Sequence, residues 1–234
     1  MLFRSVLIGG CDKTVPAQLM GAASANVPAI SLVTGSMLTG SHRGETVGAC
    51  TDCRRYWARF RAEDIDAEEI AAVNDQLVPS VGTCSVMGTA SSMACIVEAL
   101  GMSVPGAASP PAVTADRMRA AELTGLQAVA LARRPITPRQ ILTDDAFHNA
   151  LRVLLSIGGS TNAIVHLAAL AGRVGFRLDL DALDRMSRDT PVLLDLKPSG
   201  EHYMEHFHWA GGNSRLLKEI RSHLDERCKT VAGK

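Results

Sequence analysis

Two turns hold the side chains best suited to chemistry: Cys11, in the segment GGCDKT, and Cys84, in the segment GTCSVMGTASSM. Each cysteine lies just before an expected helix start, where backbone N–H groups favour a thiolate over a thiol. Asp12 and Lys13 add a carboxylate and an amine directly beside the first sulfur. Soft sulfur next to hard oxygen indicates an iron–sulfur cluster beside a divalent cation, which is a site for Lewis-acid catalysis.

Both cysteines also have a purely structural interpretation. A cysteine at a strand end is commonly a small buried apolar residue, and the small residues around Cys84 suit a tightly packed helix. Burial would be costly for Asp12 and Lys13, because buried charges need partners. A metal ion would partner Asp12. A lysine that has lost its proton can bind carbon dioxide, and the resulting carbamate ligates a cation as a carboxylate does.

Cys50 and Cys53 form a C-x-x-C motif, which is typical of a thiol redox pair or of half a zinc site. No second C-x-x-C or H-x-x-x-H lies at zinc-finger distance from it, which argues against structural zinc. The motif opens a charged helix, and we favour a placement without function. A thiol redox protein that uses these two cysteines stays open as an alternative. Cys95 is expected in the core.

Two further groups of polar residues have open interpretations. A Gly-Gly pair at 158–159 precedes Ser160 and Thr161 at an expected helix start, where N–H groups and hydroxyls can cradle a carboxylate or phosphate. A glycine break followed by a helix N-cap explains the same residues. The histidines of segment 202–208 resemble a metal cluster, but nearby glycines favour irregular structure and surface histidines.

The composition excludes several classes of protein. Lys plus Arg and Asp plus Glu both total 24, so no overall field would recruit nucleic acid or an anionic membrane. No uncharged run approaches the roughly 18–20 residues that span a bilayer, and the apolar N-terminus is too short for a signal peptide. We expect a cytoplasmic protein without membrane or nucleic-acid partners, whose six cysteines are reduced or metal-bound.

The elements that position these groups alternate between strand and helix, which predicts an α/β fold with a parallel sheet flanked by helices. Strands are expected at 3–9 (buried), 29–33 and 191–196. Helices are expected at 14–24, 52–62, 66–77, from after Cys84 to Leu100, from Thr114 to 132, briefly from Pro138, and at 144–156, 160–172 and 213–224. Gly101 is expected as the C-terminal cap of the helix that ends at Leu100, and Thr114 as the N-cap of the next one. The polar segment 34–51 follows the second strand, where α/β folds place ligand-binding groups.

Taken together, these motifs resemble the dihydroxy-acid dehydratase/phosphogluconate dehydratase family, which includes sugar-acid dehydratases. The residues that carry the resemblance are Gly10–Thr14, Gly82–Cys84 with Met87–Ala90, Gly158–Asn162, Pro198–Gly200, Ala210–Gly212 and Thr230–Lys234. The similarity covers essentially the whole chain, and the motifs are specific as a set.

The resemblance implies a hydro-lyase that removes water from a 2,3-dihydroxy carboxylic acid or an aldonic sugar acid to give the 2-keto acid. It implies that Cys11 and Cys84 bind an iron–sulfur cluster, 2Fe-2S rather than 4Fe-4S. Asp12 and carbamylated Lys13 would bind Mg2+. The implied partners are a small hydroxy-acid substrate and further copies of the chain, in a homo-oligomer that is a dimer or larger.

The chain departs from the family pattern at both ends. The family has a third cluster cysteine and another magnesium carboxylate before the Cys-Asp-Lys motif, and its catalytic serine lies in a C-terminal β-barrel domain. We therefore expect residues 1–234 to be a partial N-terminal iron–sulfur and magnesium domain, without the catalytic base and without turnover alone. Whether Cys50 or Cys53 replaces the third ligand stays open. The alternative function is a non-catalytic remnant or assembly subunit that keeps the scaffold.

The segment SHRGETVG, at 41–48, resembles the sugar-acid branch of the family more than the branched-chain amino-acid branch. Within it, Arg43 and Glu45 are candidates for binding a polyhydroxylated substrate, with Ser160 and Thr161 as further candidates. An Arg–Glu pair that orders the loop explains the same two residues equally well.

Overall fold

The computed structural model describes residues 4–233, and its first elements form a parallel β–α–β unit. Strands β1 (Ser5–Gly9) and β2 (Ala29–Val33) pair in parallel over their full length. Helix α1 (Thr14–Ala25) makes the crossover that two parallel strands require. The turn that holds Cys11 therefore follows the carboxyl end of β1.

Ten further helices and one short hairpin follow this unit within the described residues. The helices are α2 (Thr51–Arg61), α3 (Ala67–Leu77), α4 (Thr89–Ala99), α5 (Ala115–Arg133), α6 (Pro138–Ile141), α7 (Asp144–Ser156), α8 (Thr161–Val174), α9 (Leu180–Asp189), α10 (Met204–Trp209) and α11 (Gly212–Glu219), with a 3-10 turn at Arg221–His223. The hairpin pairs β3 (Gly40–His42) with β4 (Glu45–Val47). The predicted α/β class is confirmed, with a parallel sheet of two strands in this part of the chain.

Helix α4 lies at the centre of the main core, where it contacts α7, α8 and α1. Its Met93, Cys95, Ile96 and Val97 are fully buried, which confirms the prediction for Cys95. The core consists mainly of Ala, Val, Leu, Ile and Met side chains, because the sequence has few aromatic residues. Packing around α4 fixes the loop that precedes it, which contains Cys84.

A smaller apolar cluster joins the hairpin to α2 and α3. Its buried members are Val47, Tyr56, Ile70, Val73 and Leu77. This cluster holds the first turn of α2, where Cys50 lies, against the rest of the loop after β2.

Several helix ends are set by local signals that the sequence predicted. The Thr114 hydroxyl accepts a hydrogen bond from the Arg117 N–H at the start of α5. Gly101, just beyond α4, adopts a left-handed conformation with φ of 78°, which suits a glycine after a helix. Helix α4 begins later than predicted, at Thr89, because the residues after Cys84 first form a turn.

Two strand predictions are wrong. The segment 191–196 forms no strand, and only Leu196 makes an isolated bridge, with His202. The expected burial of β1 is also wrong, since Val6 and Ile8 are 44% and 62% exposed. Both errors have one cause: whether an apolar segment is paired and covered depends on elements distant in sequence.

The histidine segment contains a short helix, α10, where irregular structure was expected. His202 lies before this helix and is exposed, as is His206. His208 lies 3.2 Å from an Asp116 carboxylate oxygen. The rings of His202 and His206 lie 5.6 Å apart, whereas His208 pairs with Asp116 instead of joining them. Helix α9 was also not predicted. Among residues 4–233, no helix combines the length and apolar character needed to cross a bilayer.

Candidate functional site

The turn after β1 brings a thiol, a carboxylate and an amine together. Lys13 Nζ lies 2.6 Å from Asp12 Oδ2, and Cys11 Sγ lies 3.5 Å from Asp12 Oδ1. The hydrogen bond from Lys13 lowers the pKa of Asp12 below its usual value. All three side chains are accessible, and Lys13 is the N-cap residue of α1. The turn can therefore present sulfur and oxygen ligands to a solvent-accessible metal ion.

The Cys84 loop is tied to the segment that follows β2. The Thr83 N–H donates to the Gly35 carbonyl, and the Met37 N–H donates to the Thr83 carbonyl. Gly82 has φ of 136°, and any side chain there would collide with the Ser36–Met37 backbone. This close approach requires glycine, and it places Cys84 near the carboxyl ends of both parallel strands.

Cys50 brings a third thiol to the same region. It is the N-cap residue of α2, and its Sγ lies 3.8 Å from Cys84 Sγ. Burial, followed by the neighbouring Cys50 and Cys11 sulfurs, raises the pKa of Cys84 to about 11. The expectation of a favoured thiolate is therefore wrong at Cys84, because the cost of burying the charge is larger than the effect of the nearby N–H groups. Three cysteines from three loops thus lie near one another. Each of the six cysteines, all within residues 4–233, is a free thiol.

Cys53 does not share this position. It packs against the smaller apolar cluster, as Trp57 and Phe60 also do, and the thiol near Cys50 is that of Cys84. Among the described residues, no three His, Cys, Asp or Glu side chains are close enough to enclose a metal ion as they stand. Cys50 and Cys84 are already close enough to share a metal ion. Cys11 is near enough to act on the pKa of Cys84.

The N-termini of α4 and α8 meet beside the Cys84 loop. Ser160 Oγ, at the N-cap of α8, lies 2.7 Å from Thr89 Oγ1, in the first residue of α4. The Ser160 N–H donates to Ser92 Oγ over 2.9 Å. Thr161 begins α8 and is exposed. Two helix N-termini that converge favour an anion such as a carboxylate, and Ser160 also serves as the N-cap, as the alternative interpretation held.

His166, on α8, was missed by sequence reasoning. Its Nε2 is buried and has no hydrogen-bond partner among the described residues. Burial and the positive charge of Lys13 lower the pKa of His166, so its ring lies near the Asp12–Lys13 pair. The available signal was its position one helical turn after Asn162, in the glycine–hydroxyl motif.

Arg43 and Glu45 both bind helices rather than each other. Arg43 forms an ion pair with Glu69 of α3, and His42 Nε2 lies 3.0 Å from the same carboxylate. Glu45 lies 2.6 Å from Arg55 of α2 and accepts a hydrogen bond from Tyr56. These ion pairs order the hairpin, as the alternative interpretation expected. That interpretation paired Arg43 with Glu45, whereas each residue has a different partner in the structure.

A buried ionic network lies directly beneath Cys50, and the sequence motifs did not reveal it. The carboxylate of Asp52 accepts hydrogen bonds from the Gly48 N–H at 3.0 Å, from Lys197 Nζ at 3.2 Å and from the Tyr203 hydroxyl. Burial alone would raise the pKa of Asp52, but these hydrogen bonds outweigh it and hold the pKa below its usual value. The Lys197 carbonyl accepts from the Met87 N–H, so the network connects both cysteine loops.

The fold and the site define a mixed α/β domain that presents thiol, carboxylate and amine groups near the carboxyl ends of a parallel strand pair. Residues 4–234 match the family described as dihydroxy-acid/6-phosphogluconate dehydratase N-terminal. The chain belongs to this family.

Curated relatives include enzymes named for different substrates. The chain is 42% identical over 228 residues to a dihydroxy-acid dehydratase of Thermodesulfovibrio yellowstonii, covering 97% of this chain and 41% of the relative. It is 45% identical over 230 residues to an L-arabinonate dehydratase of Rhizobium leguminosarum, covering 97% and 40%. It is 41% identical over 229 residues to a 6-deoxy-6-sulfo-D-gluconate dehydratase of Pseudomonas putida, covering 98% and 40%. The chain thus spans about 40% of the length of the relatives it matches.

Proposed function

We propose that this chain serves a dehydratase that converts a 2,3-dihydroxy or aldonic sugar acid to a 2-keto acid. In this proposal Cys11 and Cys84 hold an iron–sulfur cluster, and Asp12 and Lys13 hold Mg2+. The observation that carries it is the accessible Cys11-Asp12-Lys13 turn, with the Cys84 sulfur near enough to Cys11 for the two thiols to interact. Membership of the dehydratase family supports the same assignment.

The two free thiols support an iron–sulfur cluster, preferably 2Fe-2S, as part of its ligand set. Cys11 and Cys84 are both free and come from separate loops. In the absence of a cation Cys84 is kept as a thiol by its raised pKa. A bound cation reverses this preference, and the proton leaves when the sulfur becomes a ligand.

Asp12 and Lys13 fit a magnesium site once Lys13 is carbamylated. In that reaction the neutral amine attacks carbon dioxide, a new N–C bond forms, and one proton passes to solvent. Since Lys13 Nζ lies 2.6 Å from Asp12 Oδ2, carbamylation replaces an attractive pair by two neighbouring anions. A divalent cation with oxygen preference removes that repulsion, so cation and carbamate would stabilise each other.

The remaining candidate residues would bind the two ends of the substrate. The hydroxyls of Ser160 and Thr161, at the α8 N-terminus, suit the substrate carboxylate. Arg43 and Glu45 order the hairpin beside the site through Glu69 and Arg55, and we retain them as residues that shape the sugar-binding side. When bound, the metal centres supply the Lewis acidity that loss of a hydroxide requires. The chain's own residues hold those centres and orient the acid.

The test of the cluster uses anaerobically purified protein reconstituted with iron and sulfide. We expect bound iron and sulfide with a visible charge-transfer spectrum, lost in Cys11→Ser and Cys84→Ser but kept in the control Cys228→Ser. Binding of L-arabinonate and of 2,3-dihydroxy-3-methylbutanoate, measured by the change that each causes in this spectrum, then separates the two substrate classes without requiring turnover, which the chain alone is expected to lack. Folded protein that takes up no iron would support the alternative, a non-catalytic scaffold.

The carbamate has a separate test. Carbon-13 NMR in labelled bicarbonate with Mg2+ should show a carbamate carbonyl signal that Lys13→Arg removes. Lys218→Arg, on the exposed side of α11, is the control and should keep the signal.

The proposal also includes self-association into a dimer or larger homo-oligomer, which light scattering during size-exclusion chromatography measures.

A further inference from the structure

The separation of the Cys50 and Cys84 sulfurs matches that of two ligands on one metal ion. Their Sγ atoms are 3.8 Å apart. Two thiolates bound to one tetrahedral ion at about 2.3 Å are separated by about 3.8 Å, the edge of that tetrahedron. A disulfide would need a separation of about 2.05 Å. The two side chains are therefore spaced for joint metal binding without a change in the distance between them.

The backbone holds Cys50 in this position. Its φ of 77° and ψ of −79° lie close to a strained γ-turn, which non-glycine residues rarely adopt. A hydrogen bond of 3.0 Å from the Gly48 N–H to the buried Asp52 carboxylate spans this turn. In this turn the Cys50 thiol is exposed and lies beside that of Cys84.

The same network sets the position of Cys84. Lys197 binds Asp52 through Nζ, and its carbonyl accepts a 2.8 Å hydrogen bond from the Met87 N–H. Ser85 lies between these anchors, and its carbonyl accepts from the Met204 N–H. Both sulfurs are thus attached to one buried network, which fixes their separation more firmly than two independent surface loops would.

We propose that Cys50 is a thiolate ligand that binds the same metal ion as Cys84, and that this ion is an iron of the proposed cluster. Each thiol gives up its proton to solvent on binding. The identity of the ion rests on the proposed function, whereas the joint binding by the two sulfurs does not. Cys53 is excluded from this ligand set, because it packs beside the smaller apolar cluster.

Cobalt(II) tests the pair independently of any cluster. We would titrate the reduced full chain with Co2+ under anaerobic conditions and follow the thiolate-to-cobalt charge-transfer band. Cys50→Gly removes the sulfur and suits the positive φ, so it should fold like the wild type. We expect it to weaken Co2+ binding at least about tenfold. The intensity of the charge-transfer band should fall by the amount that one thiolate ligand contributes. Cys53→Ser is the matched control and should bind as the wild type does.

The outcomes separate this inference from the proposed function. If Cys50→Gly binds Co2+ as well as Cys53→Ser does, the inference is overturned. It is also overturned if the iron–sulfide chromophore survives Cys50→Gly unchanged while Cys84→Ser abolishes it, and the proposed cluster then stands. If the wild type shows a Cys50-dependent cobalt band but forms no iron–sulfide chromophore, joint binding is supported and the proposed cluster fails. Circular dichroism of each variant confirms that lost binding is not lost folding.

Discussion

The Nζ atom of Lys197 lies 3.2 Å from Oδ1 of Asp52, across 145 positions of sequence. Asp52 is only 1% exposed, and the Tyr203 hydroxyl donates to the same carboxylate. This ion pair connects the turn that holds Cys50 to the segment that supports the Cys84 loop. Removing Asp52 leaves Lys197 without its ion-pair partner, whereas removing Lys197 leaves Asp52 with Arg55, whose Nη2 lies 3.1 Å from the same carboxylate.

We therefore expect Asp52→Asn to lower the free energy of unfolding by about 3 kcal/mol, since breaking a buried pair costs more than the pair contributes. Lys197→Met should lower it by less, because Arg55 still pairs with Asp52. Urea unfolding followed by circular dichroism measures this change. The exposed pair Asp184–Arg188 on α9 offers a control, and Arg188→Ala should change stability by less than about 0.5 kcal/mol. If Asp52→Asn lowers the free energy of unfolding by no more than Arg188→Ala does, the buried role of Asp52 is contradicted.

The low pKa of Asp52 predicts an acid-sensitive fold. Because the folded pKa lies below the unfolded one, the ionised carboxylate contributes stability at all pH values above about 4. That contribution is lost as the pH falls from about 4 through the folded pKa. Lys197, Tyr203, Arg55 and Glu45 are the charged or titratable groups that act on it.

The measurement compares urea midpoints of the wild type and Asp52→Asn from pH 7 to pH 3. The difference between the two proteins should be constant at neutral pH and should shrink below about pH 4, since the variant has no carboxylate to titrate. A difference that stays constant down to pH 3 would show that the pKa of Asp52 is the same in the folded and unfolded states, against the lowering expected here. Other carboxylates titrate equally in both proteins and cancel.

Thiol labelling should distinguish the cysteines by reactivity. The pKa of Cys84 is raised to about 11, so only about one molecule in a thousand carries its thiolate at pH 8. We expect iodoacetamide to modify the exposed Cys11 and Cys50 before Cys84, and to reach the fully buried Cys95 only after unfolding. Peptide mass spectrometry of timed samples measures each rate. Equal rates at Cys11 and Cys84 would refute the assignment.

Gly82 should be intolerant of substitution, unlike glycines in the helices. Its φ of 136° and its contact with the Ser36–Met37 backbone leave no room for a side chain. Gly82→Ala should cost about 2 kcal/mol or more, measured by urea unfolding. Gly125→Ala, on α5 where an added Cβ meets nothing within 4 Å, should instead stabilise the protein by about 0.5–1 kcal/mol. Equal effects of the two substitutions would contradict the close approach.

Features whose causes lie within a few residues were predictable from the sequence. The first two strand positions, the α1 crossover and the caps at Thr114 and Gly101 follow from local hydrogen bonds and backbone preferences. The segment 191–196 was not predictable in this way, because a strand exists only where another strand pairs with it. His166 was missed for a related reason, since its proximity to Lys13 comes from the packing of α8 against α1.

By itself, the sequence determined the α/β class, the family resemblance and the reactive groups at Cys11, Asp12 and Lys13, because these depend on residue type and short spacing. Only the tertiary structure decided that Cys50, and not Cys53, faces Cys84. It also decided that Arg43 and Glu45 bind separate helices rather than each other. Distances between residues of different elements depend on how the core packs, and no local spacing encodes that packing.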